Sequence, residues 1–406
     1  MAEERYTGTK PFELKELSIL SNKQKAFDIK EQLVELTIYE DMFATSLSAV
    51  LIIADAKNMV SNLPIVGGEK IRVRFRTEGY EDYVTLVFVV YKIAERANTD
   101  LRTQMYSLML TTEDMMTSNG MFISKAYNGD RGEIIQAVLN DMSSERELLR
   151  NDIIASTNYI SPRWTPFDVI KYLTSESYNA KGSPCLFYET IDGYVFTSIA
   201  SIIDPNIEAI KNLTYTTIQA NNEKPKDSDV SFDNVMEYSF SDSVDKMHLL
   251  SNGSFKNRLV SVDLDQKTHV NNDFSYVDQF DEIPTIDRFP VYDADDTGEK
   301  QFFTTGVSVD SATMQKRKAA LDFLTNNGLT AMIPGDSHLR VGKPINFKIP
   351  SAEPHQDRFL SEKLTSGRFL LTACKHIIKK SSYVNGIELF KDSYGIDFNS
   401  INGEIV

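Results

Sequence analysis

The residues able to do chemistry are few. The chain has five histidines, His248, His269, His338, His355 and His376, and two cysteines, Cys185 and Cys374. No His-Glu-x-x-His pair is present to hold zinc on a helix face, and there is no Cys-x-x-Cys. Cys374 and His376 stand two apart in a strand-like run, which puts both on one face. A thiol activated by the neighbouring imidazole is the chemical reading. A strand position at a barrel wall is preferred, because such pairs are matched by geometry and not by spacing. Asp293, Asp295 and Thr297 occupy the first three ligand positions of a calcium loop, with Gly298 at its turn. The twelfth position is Thr304 where a bidentate Glu is required. A solvated acidic loop fits better, and Asp263 and Asp265 are read likewise as surface charge.

Other candidates dissolve in the same way. A glycosidase needs an acid and a partner carboxylate held in a cleft. With 58 acidic residues, chance pairs are inevitable and no local context selects one. Gly67-Gly68 lacks the Lys-Ser/Thr of a phosphate loop and precedes a strand, so it is read as a turn needing open backbone angles. Lys316-Arg317-Lys318 is read as a solvated helix face, with an acidic neighbour as the alternative. Trp164, the single Trp, is either an interface anchor or packing before a helix. No catalytic, cofactor or metal residue is assigned, and the chain is not read as an enzyme.

Chemistry being absent, architecture must carry the function. A pattern recurs in the two halves: Ile65-Val66-Gly67-Gly68-Glu69-Lys70-Ile71-Arg72-Val73, and Leu339-Arg340-Val341-Gly342-Lys343-Pro344-Ile345-Asn346-Phe347. Both run apolar, two residues, Gly, two residues, Ile, polar, apolar. Both lead into strand-like sequence, so two related β domains are expected. Gly68 and Gly342 are the structural positions of the repeated turn, and Ile71 and Ile345 pin the strands behind them.

At 406 residues the chain exceeds one hydrophobic core and implies two to four domains. Its 23 Phe and 18 Tyr favour strands over helical bundles. The net charge of −15 argues against a phosphate grip built on Lys and Arg. Residues 261–300 hold eleven acidic against three basic side chains, more than half of that excess. Two thiols fit assembly in a reducing cytoplasm, and a disulfide between them does not follow from sequence. Met1-Ala2-Glu3-Glu4-Arg5 lacks the order of a signal peptide, and no apolar run is long enough to span a membrane, so the chain is read as soluble.

Strand signals fall at Leu33–Ile38, Ala49–Ala54, Ile71–Phe75, Val84–Ile93 and Gln104–Leu110, with turns such as Leu63-Pro64 between them. The apolar run Val84–Val90 implies burial on both faces. Asp130 three residues before Glu133 marks a capping box, with Ile134, Ile135, Val138, Leu139 and Met142 on one helical face. Thr165-Pro166 opens a second helix. Asp192-Gly193 turns a hairpin between Cys185–Tyr188 and Tyr194–Ile199. Residues 221–228 are linker-like. A helix over Thr313–Asn326 precedes strands at Leu329–Ile333, Pro344–Ile349, Arg368–Ile377 and Gly386–Phe390. The expected division is a first β-barrel over 12–118, an α+β domain over 119–228, a second β-barrel over 229–250 and 306–400, and an acidic irregular insertion over 251–305.

Residues Leu36-Thr37-Ile38-Tyr39-Glu40-Asp41-Met42-Phe43, Asp55 and Leu63–Glu69 resemble the opening barrel of baseplate hub proteins from contractile-tailed bacteriophages. Trp164-Thr165-Pro166-Phe167, a helix and the hairpin Leu186–Phe196 are similar to the middle domain of that family. Val230–Phe280, with Tyr238, Gly253 and Phe274-Ser275-Tyr276, resembles its insertion. Helix 313–326, then Gly335–Phe347 and Arg368–Phe390, resemble its closing barrel. The likeness covers roughly 12–395.

The resemblance implies a mainly β fold with α+β insertions, two antiparallel tube-type β-barrels per chain, and a homotrimeric ring. Six barrels would then adapt a threefold tail spike protein to a sixfold tail tube protein. Further implied partners are other baseplate proteins and genomic DNA passing through a channel without specific binding. The place implied is the virion tail baseplate, assembled in the host cytoplasm. The alternatives are a hub-like module of a phage-derived injection or secretion particle, and a tail-associated cell-wall hydrolase. Secretion spikes usually fuse hub and needle in one chain, so a separate spike is expected here.

Overall fold

The computed structural model describes residues 11–21, 26–56, 59, 65–98, 103–152, 156–179, 182–215, 234–243, 245–263, 267–280, 285–290, 300–305, 311–349, 362 and 365–396. Leu63-Pro64, the linker 221–228, Asp265, the calcium-like run 293–299 and His355 lie outside these residues.

The chain opens with β1 (Phe12–Leu20), β2 (Ala26–Asp28), β3 (Leu33–Asp41), β4 (Ser48–Asp55), β5 (Lys70–Thr77), β6 (Val84–Asn98) and β7 (Gln104–Thr111). Helix α1 (Glu113–Gly120), β8 (Ala126–Asp130), α2 (Arg131–Asp141), β9 (Leu148–Arg150) and β10 (Ser156–Ile160) follow. Next come α3 (Pro166–Ser175), β11 (Cys185–Glu189), β12 (Tyr194–Ser198) and α4 (Ile199–Ile203). Strands β13 (Lys211–Tyr215), β14 (Asn234–Val235) and β15 (Glu237–Ser243) lead to α5 (Lys246–Asn252), β16 (Lys256–Asp263), β17 (Thr268–Ser275), β18 (Phe289–Pro290) and β19 (Lys300–Thr305). The chain continues through α6 (Ser311–Leu324), β20 (Asn327–Pro334), β21 (Lys343–Lys348), β22 (Gly367–Ile378), β23 (Tyr383–Phe390) and β24 (Ser393–Tyr394).

Local signals place many of these elements. Asp130 accepts from the Glu133 N–H while the Glu133 carboxylate accepts from the Asp130 N–H, which fixes the start of α2. Thr165 caps α3, and Pro166 takes its first position at no cost in hydrogen bonds. Strict alternation buries Ile71, Val73 and Phe75 on one face of β5. The run Val84–Val90 departs from expectation: Val87 is 43% exposed and Thr85 is exposed, so the strand buries one face until Phe88. Only at Phe88-Val89-Val90, where the Gly67-Gly68 turn folds across it, are consecutive residues buried.

Among the described residues the strands of the two halves do not separate into two closed barrels. They are hydrogen-bonded into one 14-stranded sheet. Its two halves nevertheless repeat. Strands β3, β4, β5, β6 and β7 lie in the order β3-β4-β7-β6-β5, and β15, β20, β21, β22 and β23 lie in the order β15-β20-β23-β22-β21. Every neighbouring pair in both sets is antiparallel. At the β5 and β21 flank the sets differ: β5 continues antiparallel to β1, whereas β21 continues parallel to β13.

Each half encloses its own apolar cluster, around Leu51, Val73 and Leu108 in the first and Leu329, Phe347 and Leu389 in the second. A third cluster joins α2 and α3 to the β11–β12 hairpin. The segment 251–305, expected to be irregular, instead carries an ordered three-stranded sheet, β17-β16-β19. Helix α6 packs on it through Ala319 and Phe323, because Leu249, Phe255, Phe274 and Tyr276 supply an apolar face that water would otherwise meet.

Candidate functional site

The two repeated turns share one geometry. Gly68 and Gly342 both take positive φ, +90° and +78°, angles that side chains disfavour. Each donates its N–H to a carbonyl on the neighbouring strand at 2.8 Å, Gly68 to Val90 and Gly342 to Leu371. Three residues on, Ile71 stands opposite Phe88 and Ile345 opposite Phe369. All four side chains are buried. Directly beyond each acceptor the strand bulges, between Val90 and Lys92 in β6 and between Leu371 and Ala373 in β22. A bulge bends and twists a strand, so both halves curve at the same place.

The second bulge is where the halves join. On one edge β22 pairs with β21 through residues 367–371 and then with β3 from Ala373 to Ile378. The Met42 N–H closes the gap by donating to the Thr372 carbonyl at 2.9 Å.

The β11–β12 hairpin locks this joint. Period-2 alternation divides its side chains: Cys185, Phe187, Tyr194 and Phe196 enter the middle cluster, while Leu186 and Tyr188 enter the second-half cluster. Its tip residue Ile191 enters the first-half cluster. Two buried carboxylates bind the parts reciprocally. Glu40 of β3 accepts from the Ile191 N–H at 2.5 Å and the Val341 N–H at 3.3 Å. Glu189 of β11 accepts from the Leu47 N–H at 2.9 Å and meets the Arg146 guanidinium at 3.2 Å. Burial pushes both carboxyls up to about 7, against the pull of Arg340 on Glu40 and of Arg146 on Glu189.

The loop 335–342 completes the lock. Arg340 grips Asp192 at the hairpin tip through two hydrogen bonds of 2.7 and 2.8 Å. That contact and the Arg340 charge hold the Asp192 carboxyl below its ordinary range. Ser337 and Thr77 exchange backbone-to-hydroxyl bonds of 3.1 and 2.9 Å. Asp336 forms a buried ion pair with Lys211 at 2.8 Å. One short loop therefore touches the first half, the middle hairpin and β13.

The candidate nucleophile is sealed beneath the joint of the two halves. Cys374 Sγ lies 3.6 Å from His376 Nε2, and the imidazole Nδ1 lies 2.8 Å from the Tyr383 hydroxyl. Asn385 reaches both residues. Burial raises the thiol well above its usual range and lowers the imidazole to about 3. A thiol that does not ionise beside an imidazole that does not protonate is a poor nucleophile. Among the described residues no group of three or more His, Cys, Asp and Glu is placed to hold a metal. No helix among them is long and apolar enough to cross a membrane.

One sequence reading changes. Lys316-Arg317-Lys318 is not a free solvated face: Arg317 reaches the Thr174 and Cys185 carbonyls at 3.3 and 3.1 Å, tying α6 to the middle region. Trp164 is neither core nor fully free. It is 38% exposed, stacks edge-on against Tyr172, and its carbonyl accepts from the Ile123 N–H. Phe122 and Ile160 of the same region are also exposed, at 60% and 74%. The functional residues that sequence reasoning missed are Glu40, Glu189 and Asp192. For Glu40 and Glu189 the only local signal is an acid within a strand run, and Asp192 reads only as a turn residue.

No protein-family model matches the chain. It is 21% identical to a protein named as a probable baseplate hub protein, gp334, of Vibrio phage KVP40, over 91% of this chain and 92% of that one. Among solved structures it superposes on the 43 kDa tail protein of prophage MuSo2 from Shewanella oneidensis with a TM-score of 0.58 at 12% identity, covering 93% of this chain and 98% of the other. It also superposes on the tail protein from Neisseria meningitidis MC58 with a TM-score of 0.57 at 10% identity, covering 93% and 96%. The chain has the fold of these tail proteins, and the resemblance to baseplate hub proteins extends over nine-tenths of its length.

Proposed function

We propose that this chain is the structural hub of a phage contractile-tail baseplate, acting in the virion tail. Three copies would close into a ring whose six like halves adapt a threefold spike to a sixfold tail tube. The repeated five-strand unit, with its matching glycine turn and bulge, carries this proposal. A chain with two like halves is what a threefold-to-sixfold junction needs, because each subunit must present two equivalent faces. The whole-length likeness to a hub protein supports it independently.

The work is mechanical. The hairpin, the two reciprocal carboxylates and the 335–342 loop hold the halves at a fixed angle, and the one Cys-His pair is closed to substrate. Gly68, Gly342, Ile71 and Ile345 serve as the structural residues that set the two turns. Trp164, with Phe122 and Ile160, would meet another baseplate protein, since exposed aromatic clusters mark interfaces. The domain division proposed is a first β unit over 12–118, an α+β domain over 119–228, a second β unit over 229–250 with 306–400, and an insertion over 251–305. A ring of this acidic chain would let DNA pass without gripping its phosphates.

Light scattering on the purified chain tests the ring. A particle of three times 46.0 kDa with a central hole by negative-stain imaging is expected. A monomer with and without a spike protein would overturn the proposal, and lysis of cell wall by the chain alone would overturn its mechanical character.

A further inference from the structure

The joint between the halves has an unfilled counterpart at the outer flanks of the chain. Within the chain, β3 pairs with β4 on one edge and with β22 on the other. Its equivalent in the second half, β15, pairs among the described residues with β20 alone. Likewise β22 carries β21 before its bulge and β3 after it, on the same edge. Its equivalent β6 carries β5 as far as Val89 and, among the described residues, no strand on that edge along Tyr91–Asn98.

Burial marks the same contrast. Past the bulge in β22, Cys374, His376 and Ile378 are buried beneath the joint. Past the bulge in β6, Tyr91, Lys92, Glu95, Arg96, Ala97 and Asn98 are exposed. In β3, Leu36 and Ile38 are buried. Aligned through β4 and β20, their counterparts in β15 are Tyr238 and Phe240, of which Phe240 is exposed. An unpaired edge is a template for a further strand, and a folded protein ordinarily pairs or covers it.

We infer that β15 of one copy adds antiparallel to the Lys92–Asn98 edge of β6 in a second copy, repeating between chains the β3–β22 joint made within each chain. The occupant is a second copy of this chain because the chain itself contains the template for the contact. The two edges are different surfaces, so the contact is heterologous and propagates around a ring until the rotation closes. Backbone bonds supply the affinity, as in any strand addition. The second bulge in β6, between Ala94 and Ala97, is absent from β22 and shifts the register of the far end by one residue. This inference rests on the ring proposed above and specifies which edges make it.

Cysteine cross-linking tests it. Ser239→Cys is combined in turn with Ala94→Cys, Arg96→Cys and Ala97→Cys in the full chain under mild oxidation, since the native thiols Cys185 and Cys374 are buried. Expected is at least one pair giving a covalent ladder that ends at three chains, with at least tenfold less product from each single variant. A trimer by light scattering that cross-links at none of the three pairs would overturn the edge pairing and leave the hub intact. A monomer by light scattering would overturn both.

Discussion

The phenol of Tyr188 occupies the space that a side chain on residue 342 would need: a Cβ built on Gly342 collides with the Tyr188 hydroxyl. Gly342 is therefore constrained twice, by its positive φ and by the middle hairpin pressed against it. Gly68, at a similar φ, is constrained by its backbone angle.

Gly342→Ala is expected to be the more damaging of the matched pair. A side chain in the left-handed region costs about 1–2 kcal/mol, which is the expected loss for Gly68→Ala. Gly342→Ala adds the collision and should lose about 2 kcal/mol more, in the range of overpacked cores. Unfolding midpoints in denaturant measure both. The further loss from Tyr188→Ala should be smaller in the Gly342→Ala background than in the native chain, and equal midpoints for the two single glycine variants would remove the steric account.

The buried carboxylates make the joint sensitive to alkali. Glu40 and Glu189 titrate near 7 when folded and near 4.5 when unfolded. Between those values the unfolded chain releases protons that the folded chain keeps. Stability from these groups is thus full below about 4.5 and lost as pH rises through 7, at about 1.4 kcal/mol per unit and group. Glu40→Gln should gain stability relative to the native chain as pH climbs from 5 to 8, read from midpoints at each pH. A constant difference would show that Glu40 is not protonated in the fold.

His376 should act with the opposite sign. Its folded value of about 3 lies below the ordinary 6.5, so it stabilises above 6.5 and the gain is lost as pH falls toward 3. His376→Asn, measured beside Glu40→Gln, should gain on the native chain as pH drops from 7 to 5. The two variants therefore diverge in opposite directions over one pH range.

Thiol labelling checks the sealed pair. Cys374 and Cys185 are both buried, and burial pushes the Cys185 thiol up to about 12. Native protein should react with a thiol reagent at least a hundredfold more slowly than denatured protein. Rapid labelling of Cys374 at neutral pH would restore the nucleophile reading.

Arg340→Ala should loosen the hairpin tip. It removes two charge-assisted bonds to Asp192, whose side chain is 60% exposed, and two partly buried bonds to loop carbonyls; solvent holds the ion pair to about 1 kcal/mol or less, and each carbonyl bond is worth about 1 kcal/mol. Hydrogen exchange should accelerate at residues 189–194 and 336–342 while α2 stays protected. Unchanged exchange there would assign the lock to the two glutamates alone.

Sequence alone determined what depends on near neighbours. Alternation placed β5, the Asp130–Glu133 spacing placed α2, Thr165-Pro166 placed α3, and Asp192-Gly193 turned the hairpin, because each is set by contacts within a few residues. The Gly-x-x-Ile repeat disclosed the duplication because both copies solve the same turn. Tertiary structure decided the rest. Strand β1 escaped notice because its bulge between Leu14 and Glu16 breaks the period that signals a strand. The parallel pairing of β13 with β21 and the joining of β3 to β22 link residues more than a hundred apart, and no local pattern encodes a partner at that distance. The same holds for Glu40: its neighbours in sequence mark a strand, and only the hairpin folding over it makes its carboxylate the tie between the halves.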